Sequence, residues 1–248
     1  MRKLVSLVVI FILAGCVTTG PKPPEKWETD RRVKAHVDLG MNYLRRGQTD
    51  PAQDEFELAL QISPRSDIAA HAMGLLQSRL GENEQARTWF SRAVSINPQN
   101  FTAVNDLGIH LCQNGEPQQG IDRLKRILDV PENTGLIVTN LGLGICYQRL
   151  NRYQQAKQYL RTALTASPNL PQALLPLAEI SKQEKKYLQA RAFLERYFSG
   201  GSISAKALFL GVQVEVALKD IDRAQIYARE LRAQYPKSPD LPKLKSLL

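Results

Sequence analysis

Three cysteines, three histidines and two tryptophans are all that the 248 residues offer of the side chains that metal and redox chemistry most often uses. His36, His71 and His110 stand alone, with no second His or Cys at metal-ligand spacing, so no metal site is written in the local sequence. No G-x-S-x-G turn or acid–base constellation is present, and catalysis by an activated nucleophile has no residues to rest on. The alternation of Val, Ile and Thr that marks half-buried strands is missing too, which argues against a sheet. Beyond the first sixteen residues no stretch is apolar enough to cross a bilayer. The net charge of +9 falls to +7 if Arg2 and Lys3 leave with a leader. It comes without basic–aromatic clusters, so it reads as solvated helix faces and no nucleic acid partner is expected.

What is present begins with a leader. Arg2 and Lys3 precede an apolar run from Leu4 to Leu13, about half the roughly 20 residues that a membrane span needs. Leu13-Ala14-Gly15-Cys16 resembles the bacterial lipobox. That resemblance implies cleavage after residue 15, diacylglycerol on the Cys16 sulfur and acylation of the new amino terminus, a covalent lipid and no other cofactor. Each buried acyl CH₂ contributes roughly 0.8 kcal/mol, so several chains make a durable tether. Val17 in place of Asp implies, by the sorting rule of such lipoproteins, an outer-membrane location facing the periplasm. Residues 16–32, with Pro21, Pro23 and Pro24, read as an extended linker.

From Val33 onward the sequence compares with itself at a period near 34 residues. Leu39-Gly40, Tyr43, Ala52, Phe56, Ala59 and Pro64 return as Met73-Gly74, Ala86, Phe90, Ala93 and Pro98, and again as Leu143-Gly144, Tyr147, Ala156, Leu160, Ala163 and Pro168. A looser copy starts at Phe101 and runs two residues longer than the others, to Leu136; in the fifth copy Leu177-Ala178, Ala190, Leu194 and Tyr197 hold the frame, and Gly200-Gly201 replaces proline as the helix stop. In the last copy Gly211 and Ala224 are 13 residues apart where the other repeats have 12. That difference places one inserted residue in the final turn, near Lys219-Asp220. Small residues at fixed spacing let two helices cross closely, and the proline ends the second one. The pattern resembles the tetratricopeptide repeat (TPR): an all-α, right-handed solenoid of about six helix-turn-helix units over residues 33–236. Leu241, Leu244 and Leu248 then supply a short capping helix in residues 237–248.

In such a solenoid the first helices line a concave face. The corresponding positions here are Val37, Met41, Leu44, Arg45, Ile68, His71, Leu75, Arg79, Asn105, Ile109, Leu141 and Ile145. They read as an apolar groove edged by arginine, suited to an amphipathic helix or an extended peptide. The fifth repeat turns polar there, with Gln172, Glu179 and Lys182. The Lys/Asn pair that clamps a terminal carboxylate is absent, since Val37 and Met41 hold those places. His36 replaces the consensus Trp as half-buried packing. Cys112 and Cys146 lie on neighbouring first helices, and an oxidising compartment permits a bond. Their unlike repeat positions, 12 and 10, point their side chains apart, so buried free thiols are the expectation.

Gly15-Cys16-Val17-Thr18, Leu39-Gly40, Tyr43-Leu44, Gly47 and Leu141-Gly142-Leu143 together resemble the TPR lipoproteins of type IV pilus biogenesis, the pilotins (PilF/PilW family). So do the departures from the generic repeat, Ala190-Arg191, Tyr197, Gly200-Gly201, Ala205, Leu208 to Gly211 and Tyr235-Pro236. The resemblance implies a non-enzymatic, monomeric protein that binds the secretin subunit of the pilus machine, helps it reach the outer membrane and assists its ring assembly. A TPR lipoprotein adaptor for peptidoglycan hydrolases, or for the β-barrel assembly machinery, shares lipobox and repeats and is the alternative.

Overall fold

The computed structural model describes residues 25–248, so the leader, Cys16 and the first part of the expected linker lie outside the described residues. Among the described residues twelve α-helices pair in chain order: α1 (Lys26–Arg45) with α2 (Thr49–Ile62), α3 (Asp67–Leu80) with α4 (Asn83–Ile96), α5 (Phe101–Gln113) with α6 (Pro117–Leu128). Then come α7 (Leu136–Arg149) with α8 (Tyr153–Ala166), α9 (Pro171–Gln183) with α10 (Tyr187–Ser199) and α11 (Ala205–Ala217) with α12 (Ile221–Gln234). Each pair packs on the next, which makes the described residues an all-helical TPR solenoid. No described helix is long and apolar enough to cross a membrane.

The glycines at the crossings make room for a side chain of their own repeat. A methyl group on Gly40 would sit inside the ring of Phe56, and one on Gly74 inside that of Phe90; Leu124 and Leu160 stand in the same relation to Gly108 and Gly144. All four of those large side chains are fully buried. The small-residue rule is therefore a pairing of an absent side chain with a large one sixteen positions later.

Three features depart from the sequence reading. Helix α1 begins at Lys26, so residues 26–32 are helical and not linker; Glu28 in its first turn suits the positive end of the helix dipole. The last turn carries no insertion. Every intra-repeat turn needs one left-handed residue, supplied by Gly47, Gly81 and Gly115 and then by Asn151, Lys185 and Lys219. Counted from that residue, Ala224 stands where Ala52 does, and Val212, not Gly211, occupies the place of Gly40. Ala228 then occupies the place of Phe56, and the glycine and its large partner, Gly211 and Tyr227, stand one place earlier. Val212 and Ala228 are both fully buried in one cluster. The cap is the third. It is a 3₁₀ helix, Leu241–Ser246, whose three-residue period lines up Leu241, Leu244 and Leu247 and leaves Leu248 exposed.

The two extra residues of the third repeat fall in the turn between α6 and α7, where Asn133 is buried. Its Nδ2 donates to the Ile127 carbonyl at 2.8 Å and to Thr139 Oγ1 at 3.0 Å. Thr139 Oγ1 in turn donates to Asn105 Oδ1 at 2.9 Å. Satisfied in this way, the polar plug carries no unpaired group into the core.

Candidate functional site

The twelve positions expected to line a groove separate into three environments. Val37 and Leu44 are buried with Phe56 and Leu76, Leu141 is buried in the central core, and Asn105 belongs to the polar plug. These four are packing, a correction with a simple cause. A first helix touches its own partner, the preceding second helix and its neighbouring first helices, so its apolar surface is largely consumed by the solenoid. Arg45, Ile68 and Arg79 are exposed. Half-buried between them are Met41, His71, Leu75, Ile109 and Ile145. His71 is already engaged, its Nε2 lying 2.6 Å from Asp106 Oδ2 on the next first helix. His36, also half-buried, meets Glu55 at 2.7 Å.

One row survives as a continuous surface. The residue that follows the crossing position is Met41, Leu75, Ile109, Ile145, Glu179 and Gln213 in successive repeats, and all six are half-buried. The row is apolar over four repeats and polar over two. Where it changes, the solenoid opens a cavity of about 840 Å³ against α7, α9 and α11. Its walls carry Gln148, Gln172, Lys182, Phe209 and the internal Pro176 of α9. Across it Gln148 Nε2 donates to Glu179 Oε2 at 2.8 Å, Lys206 pairs with the other oxygen of Glu179, and Lys182 Nζ donates to Gln213 Oε1 at 2.9 Å. The polar fifth repeat was readable in the sequence as a change of composition. That it lines an open hollow depends on the arrangement of three helices, which periodicity does not encode.

The expectation of free thiols is overturned. Cys112 and Cys146 form a disulfide joining α5 to α7, with Cα atoms 5.0 Å apart. Adjacent first helices are displaced along their axes, which brings position 12 of one repeat opposite position 10 of the next. Gly120 completes the arrangement: a methyl there would overlap the Cys112 sulfur and the Gly108 carbonyl. Every other repeat has alanine at that place. Gly120→Ala is thus expected to destabilise by about 1–3 kcal/mol through overpacking. Urea unfolding checks it, and an unchanged midpoint would remove the steric account.

Sequence reading also missed a ladder of ion pairs between repeats. A cation follows the small residue of α4, α8 and α10 and reaches an acid near the next repeat's turn: Arg87 to Glu116, Lys157 to Glu184 at 2.6 Å, and Arg191 to Glu215 and Asp220. Hydrogen bonds from Lys157 and Lys186 hold the Glu184 carboxyl below its ordinary range. Arg92 and Arg196 donate to the carbonyls of Pro64 and Pro168, tying each to the end of the preceding repeat. The signal was present as Ala86-Arg87, Ala156-Lys157 and Ala190-Arg191.

Family profiles described as tetratricopeptide repeat match residues 33–66, 69–100, 100–169 and 147–199. The type IV pilus assembly protein PilF of Pseudomonas aeruginosa is 29% identical over 240 residues, which is 94% of this chain and 95% of that protein. The crystal structure of PilW, described as a widely conserved type IV pilus biogenesis factor, superposes with a TM-score of 0.75 at 26% identity, covering 86% of this chain and 97% of that one. The structure of Pseudomonas aeruginosa PilF gives 0.72 at 25% identity, covering 88% and 99%. The chain is a tetratricopeptide repeat protein, homologous along nearly its whole length to PilF.

Proposed function

We propose that this protein is a pilotin: a lipoprotein, held in the outer membrane through Cys16 and facing the periplasm, that binds the secretin subunit of a type IV pilus and promotes its localisation and ring assembly. The observation that carries the reading is the homology to a pilus assembly protein over 94% of this chain and 95% of that protein. A single shared repeat would support only the fold. The role is one of holding rather than catalysis. The half-buried row Met41, Leu75, Ile109 and Ile145 offers apolar side chains for a partner to cover. The lipobox supplies the tether.

The test is secretin assembly in cells that lack the protein. Heat-resistant secretin multimers at the outer membrane are expected to disappear and to return with the wild-type gene. Cys16→Ala is expected to accumulate as a folded protein, with unchanged helical circular dichroism, that no longer fractionates with the outer membrane. Multimers that persist at the outer membrane without the protein would overturn the proposal.

A further inference from the structure

The cavity against α7, α9 and α11 has a chemistry different from the apolar row, and it defines a different occupant. Pro176 sits inside α9 and has no N–H, so the Gln172 carbonyl is left without its intrahelical donor. Both residues line the cavity. Gln148 and Gln213 present side-chain amides there, each with one end engaged and the other open: Gln148 donates to Glu179, and Gln213 accepts from Lys182. Acceptors and amides along one wall are what an extended backbone needs, since every second residue turns both its N–H and its C=O to the same edge.

Charge then selects among extended peptides. Lys206 and Gln148 answer the carboxylate of Glu179, and Lys243 pairs with Asp240 at 2.7 Å. Among the described residues neither Arg149 nor Lys182 meets a carboxylate, and both line the cavity. Two cations without a counter-charge therefore face a volume of about 840 Å³, floored by Ile145, Leu175 and Phe209. We propose that this cavity is a second docking site, taking an extended acidic segment of a partner protein. Its backbone lies along Gln148, Gln172 and Gln213, its side-chain carboxylates reach Arg149 and Lys182, and an apolar side chain rests on Phe209. The site goes beyond the pilotin reading and stands without it, because secretin assembly is not its readout.

The test is selection of twelve-residue peptides, attached to beads through their C-termini so that only side chains supply carboxylates, against the purified protein. Enriched peptides are expected to carry Asp or Glu next to an apolar residue and to lose affinity as salt rises. They are expected to bind Arg149→Glu/Lys182→Glu about tenfold or more weaker, the scale of a charge-assisted hydrogen bond. Arg149 is exposed, so Arg149→Gln alone serves as a variant that keeps its fold and should lose about threefold to tenfold. Amide NMR shifts should centre on Gln148, Gln172 and Gln213. The proposal is overturned if no peptide is enriched, if the enriched peptides are neutral or basic, if both variants bind as well as the wild type, or if the shifts lie on the second helices.

Discussion

Arg191→Ala is expected to cost about 3–5 kcal/mol. Glu215 is 1% exposed, and the Arg191 guanidinium faces it with two nitrogens, Nε lying 3.0 Å from Oε1, while Nη2 also reaches Asp220 at 3.1 Å. Beside Glu215 the guanidinium is held more firmly protonated than usual. Removing it strands a carboxylate away from water, and no other cation pairs with Glu215 among the described residues. Because neighbouring repeats stabilise one another only across shared faces, the loss should appear first as fraying of α11 and α12. Arg191→Met combined with Glu215→Leu removes both charges and should recover most of the deficit. Urea unfolding of the three proteins, with hydrogen exchange to locate the fraying, decides the matter. A single variant within about 1 kcal/mol of wild type would show that water reaches Glu215.

Leu44→Glu is expected to unfold the first repeat. Leu44 is 6% exposed and packs with Val37, Phe56 and Leu76, so a carboxylate there has neither water nor a partner. The expected cost is at least about 3 kcal/mol. Met41, one turn earlier and half-buried, has room to turn a glutamate toward solvent, and Met41→Glu should stay within about 1 kcal/mol of wild type. The two variants therefore separate scaffold from surface. On the proposed function, Met41→Glu keeps its melting temperature and loses secretin multimers, whereas Leu44→Glu loses both. A Leu44→Glu protein that melts like wild type would return this position to the groove.

How much of this was legible in the sequence depends on whether a feature recurs. The helix pairs could be read because Gly40, Gly74, Gly108 and Gly144 return with a large partner sixteen residues on, and steric fit at a crossing has only one simple solution. In the last repeat the glycine and its large partner, Gly211 and Tyr227, stand one place earlier relative to the turn, with Val212 and Ala228 buried beside them, and counting small residues there invents an insertion. The groove failed for a related reason. Periodicity reports that Leu44 and Met41 are both apolar and inward, but not which of them the next helix covers. The disulfide was lost because position numbers were compared as if neighbouring helices stood level. The cavity has no periodic signature at all: Pro176 occurs once, and Arg149 and Lys182 become a pair only when α7 and α9 lie side by side.

The Cys112–Cys146 bond has a mechanical meaning for a molecule proposed to hang from a membrane by one end. A stack of repeats is a spring, each unit held to its neighbours by surface contact, and tension applied through the amino terminus would peel units off in order. The bond ties α5 to α7 across a chain separation of 34 residues, so the third and fourth units cannot be peeled from each other while it is intact. Closing a loop of that length in the unfolded chain is worth about 3–4 kcal/mol on chain-entropy grounds. Unwinding from the tethered end therefore meets a covalent stop halfway along, with the cavity and its three helices on the protected side.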